Sequence, residues 1–458
     1  MSEQHDPRLW NADIAPTRPA QRTWTWLTYA GLWVAMVIQI PSYLIAADLL
    51  AAGMSWWQAV LTVFLGNVVV LIPLLLIGRA GAQYGIPFPV LLRSSFGTIG
   101  ARLPAMLRGI VACGWFGIQT WIGGSALYVI LDVLTDHAIT GAKIPIIGID
   151  PAQLLCFLSF WAAHLWFIAK GTESIRWLET LAAPFLLLMG LILLIWAHQK
   201  AGSFGHLLSQ PSEFEPGGRK EGQFWMTFWP SLTAMIGFWA TLALNIPDFT
   251  RFARSQKDQI IGQMIGLPIP MALIAFIGVS VTSATVIIFG EPIWDPIQIA
   301  ARLEGPGVIV ILGVVVIATL TTNLAANVVS PANDIANLNP RRISFKLGGY
   351  ITAGLGIAIF PWKLLETADV FIFTWLVGYS VLLGPIAGVI LSDYYLLRRE
   401  RIDPAALYDG DGEYSFGHGW NFAGLAALVI GVLPSLPGFL KQVGAIDSIP
   451  ALFQHLYH

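Results

Sequence analysis

The chain has 458 residues, of which 56% are hydrophobic and only 11% charged, with a mean hydropathy of +0.68 and a net charge of −2. A soluble chain of ordinary composition carries about 25% charged residues, so the composition excludes a soluble globular protein. The net charge says nothing about partners and no basic run suggests nucleic acid, and the two cysteines, Cys113 and Cys156, lie in apolar runs with no metal-ligand spacing and read as small buried residues.

Residues 1–24 are polar, contain Pro7, Pro16 and Pro19, and lack the apolar stretch of a signal peptide. They read as a short solvated cytoplasmic tail. Apolar runs then predict eleven membrane spans, at 26–50, 57–80, 101–133, 151–170, 174–197, 224–246, 260–290, 307–329, 346–362, 368–397 and 419–439. Runs of about 20 apolar residues suffice to cross a hydrocarbon core. With these spans, 18 of the 25 Lys and Arg fall on the side of the N-terminus and 7 on the other. That bias predicts a multi-pass protein of the inner (plasma) membrane with a cytoplasmic N-terminus. The transporter region is expected over 25–439, and 440–458 is too short and interrupted to span. The stretches 203–223 and 399–420 read as linkers, and "DGDGEY" within the second reads as a turn, without the spacing of a calcium loop.

The first span contains "WVAMVIQIPSY" and the sixth "WATLALNIPDF". In both, six positions separate Trp33 or Trp239 from an amide, Gln39 or Asn245, and Ile-Pro follows. A proline inside a helix removes a donor and clashes with the preceding turn, at about 3 kcal/mol. Two such breaks, five spans apart and therefore inverted, point to a transporter binding site, where unwound carbonyls face an ion and half-helix ends face a solute. The bland reading, a simple kink in each helix, is less economical for a matched pair.

In the third span, "CGWFGIQTWIGG" sets Trp115 and Gln119 one helical turn apart. An indole beside an amide suits a small planar ring with alternating N–H and C=O edges; packing and helix–helix bonding is the competing reading. The eighth span, "VIATLTTNLAANVVSPAND", carries Ala318, Thr321 and Thr322 at i, i+3 and i+4, a carbonyl and two hydroxyls on one side. Hard cations take oxygen ligands, although threonines also join helices in membranes. Asn323 and Asn327 follow, with Asn327 on another face and better placed for solute. Asp48, Asp248, Asp334 and Asp393 fall near span ends and Glu179 early in the fifth span, none at the mid-membrane position expected of a proton-coupling carboxylate. Sodium is therefore the expected coupling ion, with protons the alternative. His164 and His198, single and without a paired acid, read as structural.

These stretches, with "YGIPFPVLLRSSFG", "GFWATLALNIPDFTRFA", "SPANDIANLNPRRIS", "WLVGYSVLLGPIAGVILSDYYLL" and "GVLPSLPGF", resemble the nucleobase–cation symporter-1 family, in particular its bacterial hydantoin, allantoin and uracil permeases, over some nine-tenths of the chain. The resemblance implies an all-α polytopic membrane protein with a LeuT-like five-plus-five inverted repeat, about 25–197 and 224–397, and discontinuous first and sixth helices. It implies a solute between the indoles of Trp115 and Trp239, hydrogen-bonded by Gln119 and Asn327, with Gln39 and the backbone near Gly237 close by; Phe238, beside Trp239, could fill the same face. It implies a sodium ion on the carbonyls of Ala35, Ile38 and Ala318 and the hydroxyls of Thr321 and Thr322, and an outer gate near Trp375 and Leu376. The family has twelve spans, so either the twelfth is missing here or the sequence is truncated.

The expected function is import of a small planar nitrogen heterocycle (allantoin, hydantoin or uracil-type) by sodium symport, by a monomer in the lipid bilayer without a cofactor. A proton-coupled purine or cytosine permease is the near alternative and a passive nucleobase channel a further one. An enzyme would need a metal cluster, an acid–base pair or an activated nucleophile, and the sequence offers none.

Overall fold

The computed structural model describes residues 6–457 except 137, 140, 146, 171, 203–205, 303–306 and 366–373, and leaves out the side chains of 172–183, 185, 206–207, 307 and 310. The described residues are helical, with no strand beyond isolated bridges such as Trp24 with Ala253.

All eleven expected segments contain helix. The first is split into α1 (Trp26–Val37) and α2 (Ile40–Ala51), bent by 59°. There follow α3 (Trp56–Tyr84), the short α4 (Phe88–Phe96), α5 (Arg102–Leu134), α6 (Pro151–Lys170) and α7 (Thr172–Ala201). The sixth segment is α8 (Phe224–Phe238), α9 (Ala240–Asn245) and α10 (Pro247–Thr250). The seventh is α11 (Gln256–Gly266) with α12 (Pro268–Phe289), and α13 (Pro296–Ala301) lies in the loop after it. The eighth is α14 (Gly307–Asn327), continued past Val328 by α15 (Val329–Leu338). The ninth is α16 (Phe345–Ala358), ending earlier than expected, with α17 (Pro361–Leu364) after it. The tenth, α18 (Val377–Leu391), runs into a π-helical turn at Ser392–Leu397, and its expected start at 368–373 lies outside the described residues. The last is α19 (Phe422–Val432) with α20 (Leu436–Gln442), bent by 49°, and α21 (Ala451–Tyr457) folds back so that Tyr457 packs on Phe439. Among the described residues, six helices are long and apolar enough to cross a membrane unbroken, and the two bent pairs raise this to eight. The fifth segment is described over too short a stretch to be counted, and the sixth and ninth are divided into or reduced to shorter helices.

The two breaks form differently. In the first, Ile38 (φ −81°, ψ 81°) and Gln39 (φ −144°, ψ 159°) leave helical geometry, and Pro41 sits in the opening turn of α2. Proline is favoured there because that turn's N–H groups have no intrahelical partner. Gln39 N–H turns to the carbonyl of Val37 at 2.9 Å instead of that of Ala35 four residues back. In the sixth segment the chain breaks at Trp239 (φ −104°, ψ 6°), eight residues before Pro247, which instead opens α10 after Ile246. The matched Ile-Pro pairs therefore do not mark matched breaks.

The N-terminal stretch is not a solvated tail. Ile14 is fully buried and Leu9 and Thr17 nearly so. Thr17 N–H donates to Gly85 O at 2.8 Å, Tyr408 Oη to Ile14 O at 2.7 Å, and Arg251 to Asp13 O at 3.1 and 3.2 Å. Asn11 Nδ2 reaches Pro340 O and Ile343 O, and Trp24 pairs with Phe252 and Arg254 through its backbone. Residues 6–25 are thus a strap across the loops on their side of the bundle. The 399–420 stretch is likewise packed: Tyr408 and Tyr414 are buried, the first against the Arg93 guanidinium and the second under that of Arg398. Arg93 and Arg108, expected at a membrane surface, are fully buried. Cys113 and Cys156 are buried and unpaired with each other, as expected.

Candidate solute and cation site

The pocket forms where the two broken segments meet α5 and α14. It is lined by Gln39, Trp115, Gln119, Phe238, Trp239, Thr241, Leu242, Ala326 and Asn327, with Gly237 just behind. Trp115 and Gln119 share one face of α5, as their spacing dictates. Gln39 reaches the pocket because its backbone is extended at the break. Five of the expected solute residues are therefore brought together.

The aromatic walls differ from expectation. Phe238, not Trp239, faces Trp115, edge-on at 5.3 Å and 79°. Trp239 packs edge-on against Trp33 at 5.2 Å and against Phe238 at 5.0 Å, contributing a side wall. The cause is the break itself: ending the helix at Phe238 rotates the next residue away from the α5 face. Asn245, read as the counterpart of Gln39, is absent from the pocket. Its Oδ1 accepts from Arg108 Nη2 at 2.8 Å, and its Nδ2 donates to Ser330.

Inside the pocket, Gln119 Nε2 donates to Gln39 Oε1, leaving Gln119 Oε1 buried without a partner. Trp239 Nε1 is also unpartnered and buried. Asn327 Nδ2 donates to Asn323 Oδ1 at 3.0 Å. The free space is about 20 Å³, on the order of one water, so the lining must shift before a ring can enter.

Trp375 packs beside the pocket wall, its ring 6.3 Å from that of Trp115. Gly114 allows this, since a Cβ there would collide with the Trp375 indole. Leu376 is buried, and its carbonyl lies 2.8 Å from where a Cβ on Gly237 would stand. Tyr379 Oη donates to Gly237 O at 2.6 Å, tying α18 to the end of α8. Beyond α2 a wider space of about 330 Å³ is lined by Pro41, Asp48, Trp121, Ser125, Trp294 and Asp295. Toward the strap, Arg108 bonds Thr241 O at 3.3 Å, Asn245 and Asp334 Oδ2 at 3.3 Å, all buried, and plugs that end.

The expected cation ligands also meet. Thr322 Oγ1 donates to Ala35 O at 3.0 Å and Thr321 Oγ1 to Ala318 O at 2.8 Å, with Ile38 against the side of Ala318. Thr321 and Thr322 are buried. No group of three or more His, Cys, Asp or Glu capable of holding a metal occurs among the described residues, so any cation here meets neutral oxygens. Glu179, expected in the fifth span, lies outside the described side chains. His164 is buried and structural, as expected, and its partner is Asn323, a contact that sequence spacing does not show.

A multi-span helical bundle with two broken segments crossing at a closed polar pocket is the architecture of a membrane transporter. A family model described as permease for cytosine/purines, uracil, thiamine and allantoin matches residues 16–458. The chain belongs to that family. It is 48% identical over 458 residues to a purine–uracil permease of Arabidopsis thaliana, covering 99% of this chain and 75% of that one. It is 42% identical to an allantoin permease of Bacillus subtilis, covering 96% and 90%. Among solved structures, Mhp1, a nucleobase–cation-symport-1 family transporter in a closed conformation with bromovinylhydantoin bound, superposes with a TM-score of 0.76 at 27% identity, over 98% of this chain and 100% of that one. The fold is thus the LeuT-like arrangement expected, and the protein is a transporter of nucleobase-like solutes, not an enzyme.

Proposed function

We propose that this protein imports a small planar nitrogen heterocycle, of hydantoin, allantoin or uracil type, by sodium symport and alternating access. The observation that carries the reading is the adjacency of Ile38 and Gln39: one break in one helix sets Ile38 against Ala318 beside the threonine cluster and Gln39 in the pocket. The solute lies against Trp115 and Phe238, with Trp239 at its side and the Gln119, Gln39 and Asn327 amides on its edge. Sodium takes the carbonyls of Ala35, Ile38 and Ala318 and the hydroxyls of Thr321 and Thr322. An ion that straightens Ile38 also sets Gln39, so each ligand raises the affinity of the other by the same factor. An inward membrane potential adds about 2.3 kcal/mol per charge per 100 mV. The protein works as a monomer in the inner (plasma) membrane, its strapped N-terminus cytoplasmic.

The test is quenching of tryptophan fluorescence in purified protein by allantoin, hydantoin, uracil, cytosine and guanine, each with and without sodium. One ring solute saturating at far lower concentration in sodium supports the reading. Binding indifferent to sodium but dependent on pH moves the protein to proton coupling.

A further inference from the structure

Asn323 sits one turn before Asn327 on α14, and its Nδ2 lies 3.1 Å from Phe116 O, 3.2 Å from Thr120 Oγ1 and 3.0 Å from His164 Nε2. All of these residues except Asn327, which is 5% exposed, are within 1% of complete burial. A backbone carbonyl can only accept, so the Asn323 atom beside Phe116 O must be the amide nitrogen. Thr120 Oγ1 already spends its proton on Phe116 O at 2.7 Å and so accepts from Asn323. His164 Nδ1 stands 2.8 Å from Phe160 O, a second obligate acceptor, so Nδ1 carries the ring proton. His164 Nε2 then presents a lone pair to Asn323 Nδ2, and the two ends of the chain agree. Phe116 and Phe160 hold the imidazole edge-on at 5.1 and 4.8 Å, leaving it one orientation.

With Nδ2 committed, Asn323 Oδ1 faces Asn327 and demands a donor. Asn327 must therefore turn its Nδ2 inward, which leaves Oδ1 on the pocket side. The Gln119–Gln39 pair has no such constraint. Neither amide is tied to an obligate donor or acceptor among the described residues, so both can reverse together and serve either polarity.

We propose that His164 and Asn323 are positioning residues that lock Asn327 as a hydrogen-bond acceptor, so that the site selects solutes presenting a ring N–H at that edge while Gln119 and Gln39 adapt to the rest. The inference rests on the proposed heterocycle site. It accounts for a buried histidine on α6, a helix that contributes no residue to the pocket.

The experiment measures binding of uracil and hydantoin, and of cytosine, whose ring N3 is an acceptor where that of uracil is a donor, to wild type, His164→Gln, His164→Leu and Asn323→Leu. In wild type, cytosine should bind about 100-fold more weakly than uracil, as for an acceptor left unpaired against an acceptor. His164→Gln supplies an amide oxygen in place of Nε2 and should keep that ratio. His164→Leu should reduce it, and Asn323→Leu should bring it to about tenfold or less, because Asn327 is then free to reverse and turn its Nδ2 to the ring acceptor. Should Asn323→Leu fail to fold, the contrast between His164→Gln and His164→Leu carries the test. A ratio unchanged within twofold in the leucine variants that still bind uracil or hydantoin overturns the inference and leaves the transport reading intact. No binding of any of these rings by folded wild type overturns both.

Discussion

Thr322 Oγ1 donates to the carbonyl of Ala35 at 3.0 Å, across 287 positions of sequence. The carbonyl is available because Gln39 N–H has turned to Val37 O where the helix opens. A break in one repeat and a hydroxyl in the other thereby share one oxygen cluster. If that cluster holds sodium, Thr322→Ala should lower apparent sodium affinity by tenfold or more, on the order of one lost ligand interaction of 1–3 kcal/mol, while solute affinity measured without sodium stays level. Titrating sodium at fixed solute reads both. Sodium affinity equal to wild type in Thr322→Ala and Thr321→Ala would displace the cation from this site.

Gln119 is the next case. Its side chain is buried with one oxygen unpartnered, so a solute edge completes it. Gln119→Leu should weaken binding of the carried ring by about 5–150-fold, the equivalent of leaving a buried polar partner unsatisfied. A dissociation constant unchanged by the substitution removes Gln119 from recognition.

Phe238 faces Trp115, whereas Trp239 packs on Trp33 at the side of the pocket. Phe238→Ala removes the ring opposite Trp115 and should cost about 1–3 kcal/mol of solute binding, the range for aromatic stacking on a base. Trp239→Ala opens the contact with Trp33 and should lower thermal stability more, by about 3–5 kcal/mol for a large buried aromatic. Binding and melting measured side by side on both variants check the division; equal losses of affinity would put both rings on the solute.

The plug at Arg108 predicts a stability effect. Arg108 and Asp334 form a fully buried pair, and removing one partner strands a buried charge at a cost of about 3–5 kcal/mol. Asp334→Leu and Arg108→Met should each lower the melting temperature, and the double variant should recover much of the loss. Additive losses in the double variant would mean that the pair is not the unit holding α5, α9 and α15 together.

Gly114 tests whether Trp375 gates the pocket. Gly114→Val forces the indole away, and the solute should then exchange faster, raising the dissociation rate by about tenfold while Trp115 and Gln119 remain in place. A rate equal to wild type in stopped-flow fluorescence would show that Trp375 does not gate the pocket. The magnitude follows from losing about 1.4 kcal/mol of packing at the closed state.

The sequence by itself determined the class, the apolar segments and which residues share a helix face. Hydropathy is a local property, so the eleven apolar segments are visible without packing. Spacing of three and four residues on a continuous helix fixes a shared face, which is why Trp115 with Gln119, and Ala318 with Thr321 and Thr322, could be paired in advance. The tertiary structure alone decided what lies beyond a break. The side-chain direction after Phe238 depends on the backbone angles of Trp239, not on helical spacing, so the sequence could not decide which of Phe238 and Trp239 faces Trp115, and the Trp–amide–Ile–Pro match misplaced Asn245. The strap formed by residues 6–25 was hidden because its partners are backbone carbonyls and tyrosines up to 394 positions away, contacts with no local pattern. The bond of His164 to Asn323 was hidden for the same reason: one buried imidazole acquires its role only when three helices bring two obligate carbonyl acceptors and two asparagines into line.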